Sequence, residues 1–295
     1  MSLAAERPVE APAAQVEPGR EPRRFDRPRV LWVVTGLVYT FLFAPILVVI
    51  LFSFNSAKSL QTFDGVSLRW YREFFADETL RESLFTSIEI AAVTTVVATV
   101  LGTGLALGMT RSRSRASQGA GLLLLIPLVT PEIVAGVSAF VLFAQLGIAL
   151  SVKTIILAHI TFSISYVCVV VRGRLASLGQ ELEEAALDLG ATRLQAVRLV
   201  TLPALWPAIL AAAMLVFVLS FDDFVLSFFT TGEEPQPLPV RIYSALRFGI
   251  SPTINAIGTL MLVVSAAFIA IAVLLPQLLG RRESGVAVLT GRSTE

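Results

Sequence analysis

The stretch Glu181–Pro203, "ELEEAALDLGATRLQAVRLVTLP", decides how this chain is read. Leu182, Ala185, Ala186 and Leu189 recur at i, i+3, i+4 and i+7, the stripe of an amphipathic helix. Glu181, Glu183, Glu184 and Asp188 fill the remaining positions. Gly190 stands where a helix end needs a residue free to take positive φ. Thr192 and Gln195 have capping-box spacing for a second short helix, and Pro203 closes it. The stretch therefore predicts two short helices around a glycine corner. Periodicity alone is equally compatible with an amphipathic hairpin lying on a membrane.

On both sides of this polar elbow the sequence is strongly apolar. The chain has 295 residues, 55% hydrophobic and only 15% charged, with a mean hydropathy of +0.76. A soluble domain carries about 25% charged residues, so the deficit places the chain in a membrane. Spans of near 20 apolar residues, enough to cross about 30 Å of hydrocarbon, are expected at Val30–Phe52, Thr86–Met109, Gly121–Phe143, Thr154–Val171, Pro207–Thr230 and Asn255–Leu279. The first, 23 residues without a charge, exceeds the roughly 7–15 residues of a signal-peptide core. Pro127 and Pro131 are expected to loosen or kink the third. Gly104 and Gly108 read as a G-x-x-x-G packing face in the second.

Six spans put both termini on one side. Sixteen Lys and Arg residues fall on the side of the termini, of Arg111–Arg115 and of residues 172–206, against seven on the other. The positive-inside rule makes the richer side cytoplasmic. The expected organisation is a disordered cytoplasmic tail over 1–29, a transmembrane domain over 30–280 and a cytoplasmic tail over 281–295. The first of these holds five prolines and eleven charged residues.

Several function classes are disfavoured. A net charge of +1 offers no field for nucleic acid. The lone Cys168 cannot form an internal disulfide and reads as a buried small hydrophobe. No metal-ligand cluster and no nucleophile–base pair is visible, which argues against a membrane hydrolase. The chain lacks a G-x-x-x-x-G-K-[ST] phosphate loop.

The elbow's spacing is specific. Glu184-Ala185-Ala186, three residues, Gly190, nine residues, Val200, one residue, Leu202-Pro203 resembles the EAA signature of ABC importer permeases, E-A-A-x3-G-x9-I-x-L-P, departing only at Val200. From about Phe52 to Leu279 the chain is similar to the second permease subunit of spermidine/putrescine importers. "SLRWYREFF", "TPEIVAGVS", "AHITF", "SFDDFVLSFFTTG" and "LPVRIYSALRFGISPTINAIGTL" carry that likeness. The resemblance implies an all-α integral membrane protein of the type I importer fold in a bacterial inner membrane. Glu184, Ala185, Ala186, Gly190, Leu202 and Pro203 would form a coupling helix docked on a separate ATPase. Implied partners are a homologous permease, two ATPase subunits that bind ATP and Mg, and an extracytoplasmic binding protein. This chain would hold no cofactor.

The aspartate pair of "LSFDDFVLSFF", Leu219–Phe229, then acquires a candidate role. On a continuous helix Ser220, Asp223, Ser227 and Thr230 lie within about 80° of one another, and Asp222 points about 100° away. Asp223 falls roughly 24 Å from Pro207, and Glu132 is expected near mid-depth in the third span. A charge at the centre of a lone spanning helix costs about 2.5–3.5 kcal/mol. Asp223, Glu132, Asp222, Ser220 and Ser227 are therefore candidates for a path that replaces the hydration of a polyamine's ammonium groups. His159 reads as a hydrogen-bonded packing residue. Trp70, Tyr71, Phe74 and Phe75 suggest an amphipathic helix at the interface. The alternatives are an importer of another solute, such as an amino-acid derivative or opine, and an ion-coupled carrier using Asp223 and Glu132 as relays.

Overall fold

The computed structural model describes residues 29–58, 62–111, 114–179, 181–233, 235–248 and 252–289. The expected N-terminal tail, apart from its last residue, and residues 290–295 lie outside them. The helices are α1 (Arg29–Ser53), α2 (Arg69–Ala76), α3 (Glu78–Arg111), α4 (Arg115–Val129), α5 (Glu132–Gln145), α6 (Val152–Leu178), α7 (Glu181–Asp188), α8 (Arg193–Ala196), α9 (Leu202–Phe221), α10 (Val225–Thr230), α11 (Leu238–Phe248) and α12 (Pro252–Leu289). A π-helical turn, Val197–Thr201, precedes α9. The only strand-like feature among the described residues is the bridge between Asn55 and Val66.

Five helices are long and apolar enough to cross a membrane, and α4 with α5, bent by 108°, makes a sixth. The six expected spans are thus present, with three changes. Helix α6 runs on to Leu178 instead of ending at Val171, and α12 is helical to Leu289, where a tail was expected. The span expected at Pro207–Thr230 is broken at Asp222–Phe224.

The chain forms two compact units, residues 1–47 and 48–295. In the first, Val30–Leu47 is helical, apolar on every side and exposed. Such a surface suits lipid.

In the second unit α3 packs most extensively on α6 and then on α9. Ala98, Ala106, Val167, Cys168, Val171, Leu205, Ala212 and Val216 meet at their centre. Small residues on α3 permit the close approach on which helix association in lipid depends. The glycine that matters is Gly102. A Cβ there would stand 2.6 Å from Val167 Cβ and 3.0 Å from the Ile164 carbonyl oxygen. Gly104 and Gly108 meet nothing within 4 Å, so the expected G-x-x-x-G face is not the contact within this chain. Period 3.6 puts Ala98, Gly102 and Ala106 on one face and turns Gly104 away.

A second cluster joins α2, α3, α9, α11 and α12 through Phe74, Leu84, Ala91, Phe217, Phe221, Leu238, Ile257 and Met261. Trp70 and Phe74 are 2% and 1% exposed, and Trp70 Nε1 donates to the Asn55 carbonyl at 2.6 Å. Helix α2 is therefore docked on the bundle by its aromatic face, and of the four aromatics Phe75 is the one left largely exposed.

Candidate functional site

Two places concentrate the residues singled out by sequence. The first is the elbow. Helix α7 ends in a Schellman-type closure, Ala191 N–H donating to the Ala186 carbonyl at 3.0 Å, with Gly190 at φ +90°. Thr192 and Gln195 form the capping box that starts α8. The chain then passes through the π-turn straight into α9. The apolar stripe of α7 is not buried against its own protein: Leu182 is 54% and Leu189 91% exposed, and Leu194 on α8 is 76% exposed. Glu184 and Ala185 are also exposed, whereas Ala186 and Leu202 are partly covered and Pro203 is open.

The residue that anchors the elbow is Glu183, which the sequence reading passed over. Its Oε2 accepts from Arg111 Nη2 at 2.6 Å and from Thr201 Oγ1 at 3.3 Å. One carboxylate thus ties α7 to the end of α3 and to the π-turn. Its neighbour Glu184 faces outward. The signal for Glu183 was only its place off the apolar stripe, and Arg111 was read solely as a topology charge.

The second place lies where two spans break. At the α4–α5 corner Pro131 has no N–H to donate, and Thr130 before it adopts an extended conformation. Thr130 Oγ1 donates to the Ile126 carbonyl at 2.6 Å. Glu132 is the first residue of α5, exposed, in the turn where a helix favours negative charge. At the other break Asp222 ends α9 and Asp223 precedes α10; Asp223 Oδ1 accepts the Ser227 N–H at 3.0 Å. The expected mid-helix charges are in fact at helix ends. Helices α5 and α10 are packed closely, since a Cβ on Gly136 would lie 2.7 Å from Phe229 Cδ2. Glu132 and Asp223 both act electrostatically on Asp222.

The polar stripe of Ser220, Asp223 and Ser227 persists across the break, but it faces α6. His159, 2% exposed, bonds through Nδ1 to Ser220 Oγ at 2.8 Å and through Nε2 to Ser227 Oγ at 3.1 Å. Asp223 Oδ1 lies 3.5 Å from Nε2. Ser220 and Ser227 are 6% and 1% exposed, committed to the imidazole. Thr154 Oγ1 donates to the Thr230 carbonyl at 2.8 Å and fixes the far end of α10 to the start of α6. The acids open to ligands are Asp222 and Glu132; Asp223 is half turned inward. Among the described residues no three His, Cys, Asp or Glu side chains are grouped to hold a metal ion.

Residues 98–285 match the family described as binding-protein-dependent transport system inner membrane component. The chain belongs to that family, and it is a membrane transport subunit, not an enzyme. Over 237 residues it is 40% identical to the putrescine transport system permease protein PotI of Escherichia coli (strain K12), covering 78% of this chain and 84% of the relative. It is 35% identical over 248 residues to the spermidine/putrescine transport system permease protein PotC of Haemophilus influenzae, covering 84% and 95%. A chain from the crystal structure of a bacterial ABC transporter that imports the acidic polysaccharide alginate has the same fold. The TM-score is 0.67 at 15% identity, over 86% of this chain and 95% of that one.

Proposed function

We propose that this chain is the permease subunit of an ATP-driven importer that carries putrescine or spermidine across a bacterial inner membrane. The carrying observation is that breaks in two spans set Glu132 and Asp222 at helix ends, within electrostatic reach of each other. Exposed carboxylates at helix ends suit a solute whose charges are all ammonium groups, because they replace part of its hydration shell. The likeness to the putrescine and spermidine/putrescine permeases supports the same cargo. In this reading Asp222 and Glu132 meet the cation directly, Asp223 holds the break in shape, and Ser220 and Ser227 act through His159.

Both termini and the Glu181–Pro203 elbow are then cytoplasmic, as the Lys and Arg distribution requires. Leu182, Leu189 and Leu194 form an exposed apolar surface in a water-facing loop, which calls for a partner. The partner is an ATPase subunit, one of two, which supplies the ATP and Mg chemistry. Glu184, Ala185 and Ala186 lie at the contact, Gly190 sets the angle, and Leu202-Pro203 opens the lever. A second permease completes the path, and a binding protein delivers the cation from outside. ATP-driven closure of the ATPases shifts the population between inward-open and outward-open states by rigid-body movement of the elbow.

The test is uptake of radiolabelled putrescine into proteoliposomes containing this chain with its partner subunits. Uptake should require ATP, the ATPases and the binding protein. Accumulation without any ATPase would establish an ion-coupled carrier instead. ATP-dependent uptake of an opine, with putrescine excluded, would overturn the polyamine assignment while leaving the importer intact.

A further inference from the structure

We propose that His159 is a positioning residue that locks the two halves of the broken fifth span together, so that movement begun at the elbow arrives at Asp222 and Asp223. The backbone ladder is interrupted there. The last bond of α9 runs from Asp222 N–H to the Val218 carbonyl, and the first of α10 from Phe228 N–H to the Phe224 carbonyl. A helix interrupted at a charged pair is a natural hinge. His159 reaches both sides of it, holding Ser220 at the end of α9 and Ser227 in α10.

The chemistry of the ring makes the arrangement directional. A neutral imidazole has one N–H donor and one acceptor. The Asp223 carboxylate on the Nε2 side accepts only, so it places the proton on Nε2, and Nδ1 accepts from the Ser220 hydroxyl. That tautomer aims a donor at Asp223 and Ser227, while the Ser227 N–H holds the same carboxylate oxygen. Asp222, the neighbouring residue, is left exposed. Burial at 2% exposure leaves no water to substitute for these bonds. At its other end α9 continues from the π-turn whose Thr201 contacts Glu183. The route from α7 to the carboxylates is therefore a chain of fixed contacts with one weak joint, and His159 sits at that joint.

This inference rests on the elbow being the ATPase contact and the carboxylates being the cation path. The experiment uses the complete transporter in proteoliposomes, with putrescine uptake and ATP hydrolysis measured on the same vesicles. His159→Ala should leave ATP hydrolysis running while the maximal uptake rate falls about tenfold or more, the loss of the two buried hydrogen bonds to Ser220 and Ser227 expressed as a rate. The KM for the loaded binding protein should be unchanged. His159→Gln should recover much of the loss, because a primary amide also presents a donating nitrogen and an accepting oxygen. Wild-type uptake in His159→Ala, or no recovery with Gln, overturns the proposal.

If the Ala variant does not assemble, Ser220→Ala and Ser227→Ala decide. A lower yield of solute per ATP in either supports the clasp, and an unchanged yield in both refutes it. Spin labels at Leu215 and Phe228, both partly exposed, give a readout independent of cargo. Their distance distribution should broaden in His159→Gln less than in Ser220→Ala/Ser227→Ala, and identical distributions in all variants and wild type count against the clasp. A wild-type complex that hydrolyses ATP yet ignores putrescine indicts the cargo assignment, and the spin-label comparison still judges His159.

Discussion

Gly102→Ala is the sharpest test of how the bundle is held. The added Cβ would stand 2.6 Å from Val167 Cβ, 2.8 Å from Val167 Cγ1 and 3.0 Å from the Ile164 carbonyl oxygen. Two of these three atoms belong to, or are fixed by, the backbone of α6, and no rotamer change removes them. Helices α3 and α6 must separate along the face that also carries Ala98, Ala106, Val167 and Val171. Overpacking of this kind costs about 1–3 kcal/mol. Gly104→Ala, two residues away, adds its methyl to open space and removes a helix glycine, which is worth about 1 kcal/mol in the stabilising direction for water-exposed helices. Gly102→Ala gains the same propensity, so the pair should differ by the overpacking alone, about 1–3 kcal/mol, all from position 102. Equilibrium unfolding of the isolated chain in mixed micelles, with both variants beside wild type, measures that difference. Equal stabilities, or a larger loss at Gly104, would refute the packing argument and restore the G-x-x-x-G reading.

Asp222→Asn should lower maximal putrescine uptake more than Asp223→Asn, because asparagine at 223 keeps an oxygen for the Ser227 N–H; the reverse order in paired uptake assays would return Asp223 to the cation path. Glu183→Gln removes the charge that meets Arg111 at 2.6 Å, a partly covered pair worth about 0.5–1 kcal/mol. It should reduce solute moved per ATP, and the exchange Glu183→Arg with Arg111→Glu should regain part of it. Gly190→Val forces a β-branched residue to φ +90°, at a cost of about 1–3 kcal/mol, and should release the ATPase during co-purification. Gly190→Asn should retain more of it.

The fold was largely legible in the sequence because lipid imposes a simple rule on composition. Spans must be apolar and about twenty residues long, and α3, α6, α9 and α12 obey it, so their existence followed from hydropathy. The elbow was legible for a different reason: caps and glycine corners are local, and Thr192, Gln195 and Gly190 act within a few residues of where they stand. Long-range partners were not legible. Nothing near Gly102 in the sequence announces Val167, and nothing near Glu183 announces Arg111, 72 residues earlier. The aromatic face of α2 was readable as amphipathic, but period 3.6 cannot say whether such a face meets lipid or the packed interior where Trp70 and Phe74 lie.

The aspartates show how a periodicity can hold although the helix it assumes is broken. Ser220, Asp223 and Ser227 do share one face, and a stripe of polar groups in a span must meet something polar. The wheel leaves open whether that something is water or a buried ring, and here it is His159. The wheel also assumes an unbroken helix. A carboxylate in mid-span is costly, whereas one just before or at the first turn of a helix meets free N–H groups and the positive end of the dipole. Asp223 before α10 and Glu132 at the start of α5 both take that position. Breaking two spans lowers the cost of keeping acids in the membrane and leaves Asp222 and Glu132 exposed. Under the proposed cycle, the break also interrupts the rod that would carry movement from the elbow. A site of this design needs a side chain across the gap, and the imidazole of α6 occupies that place.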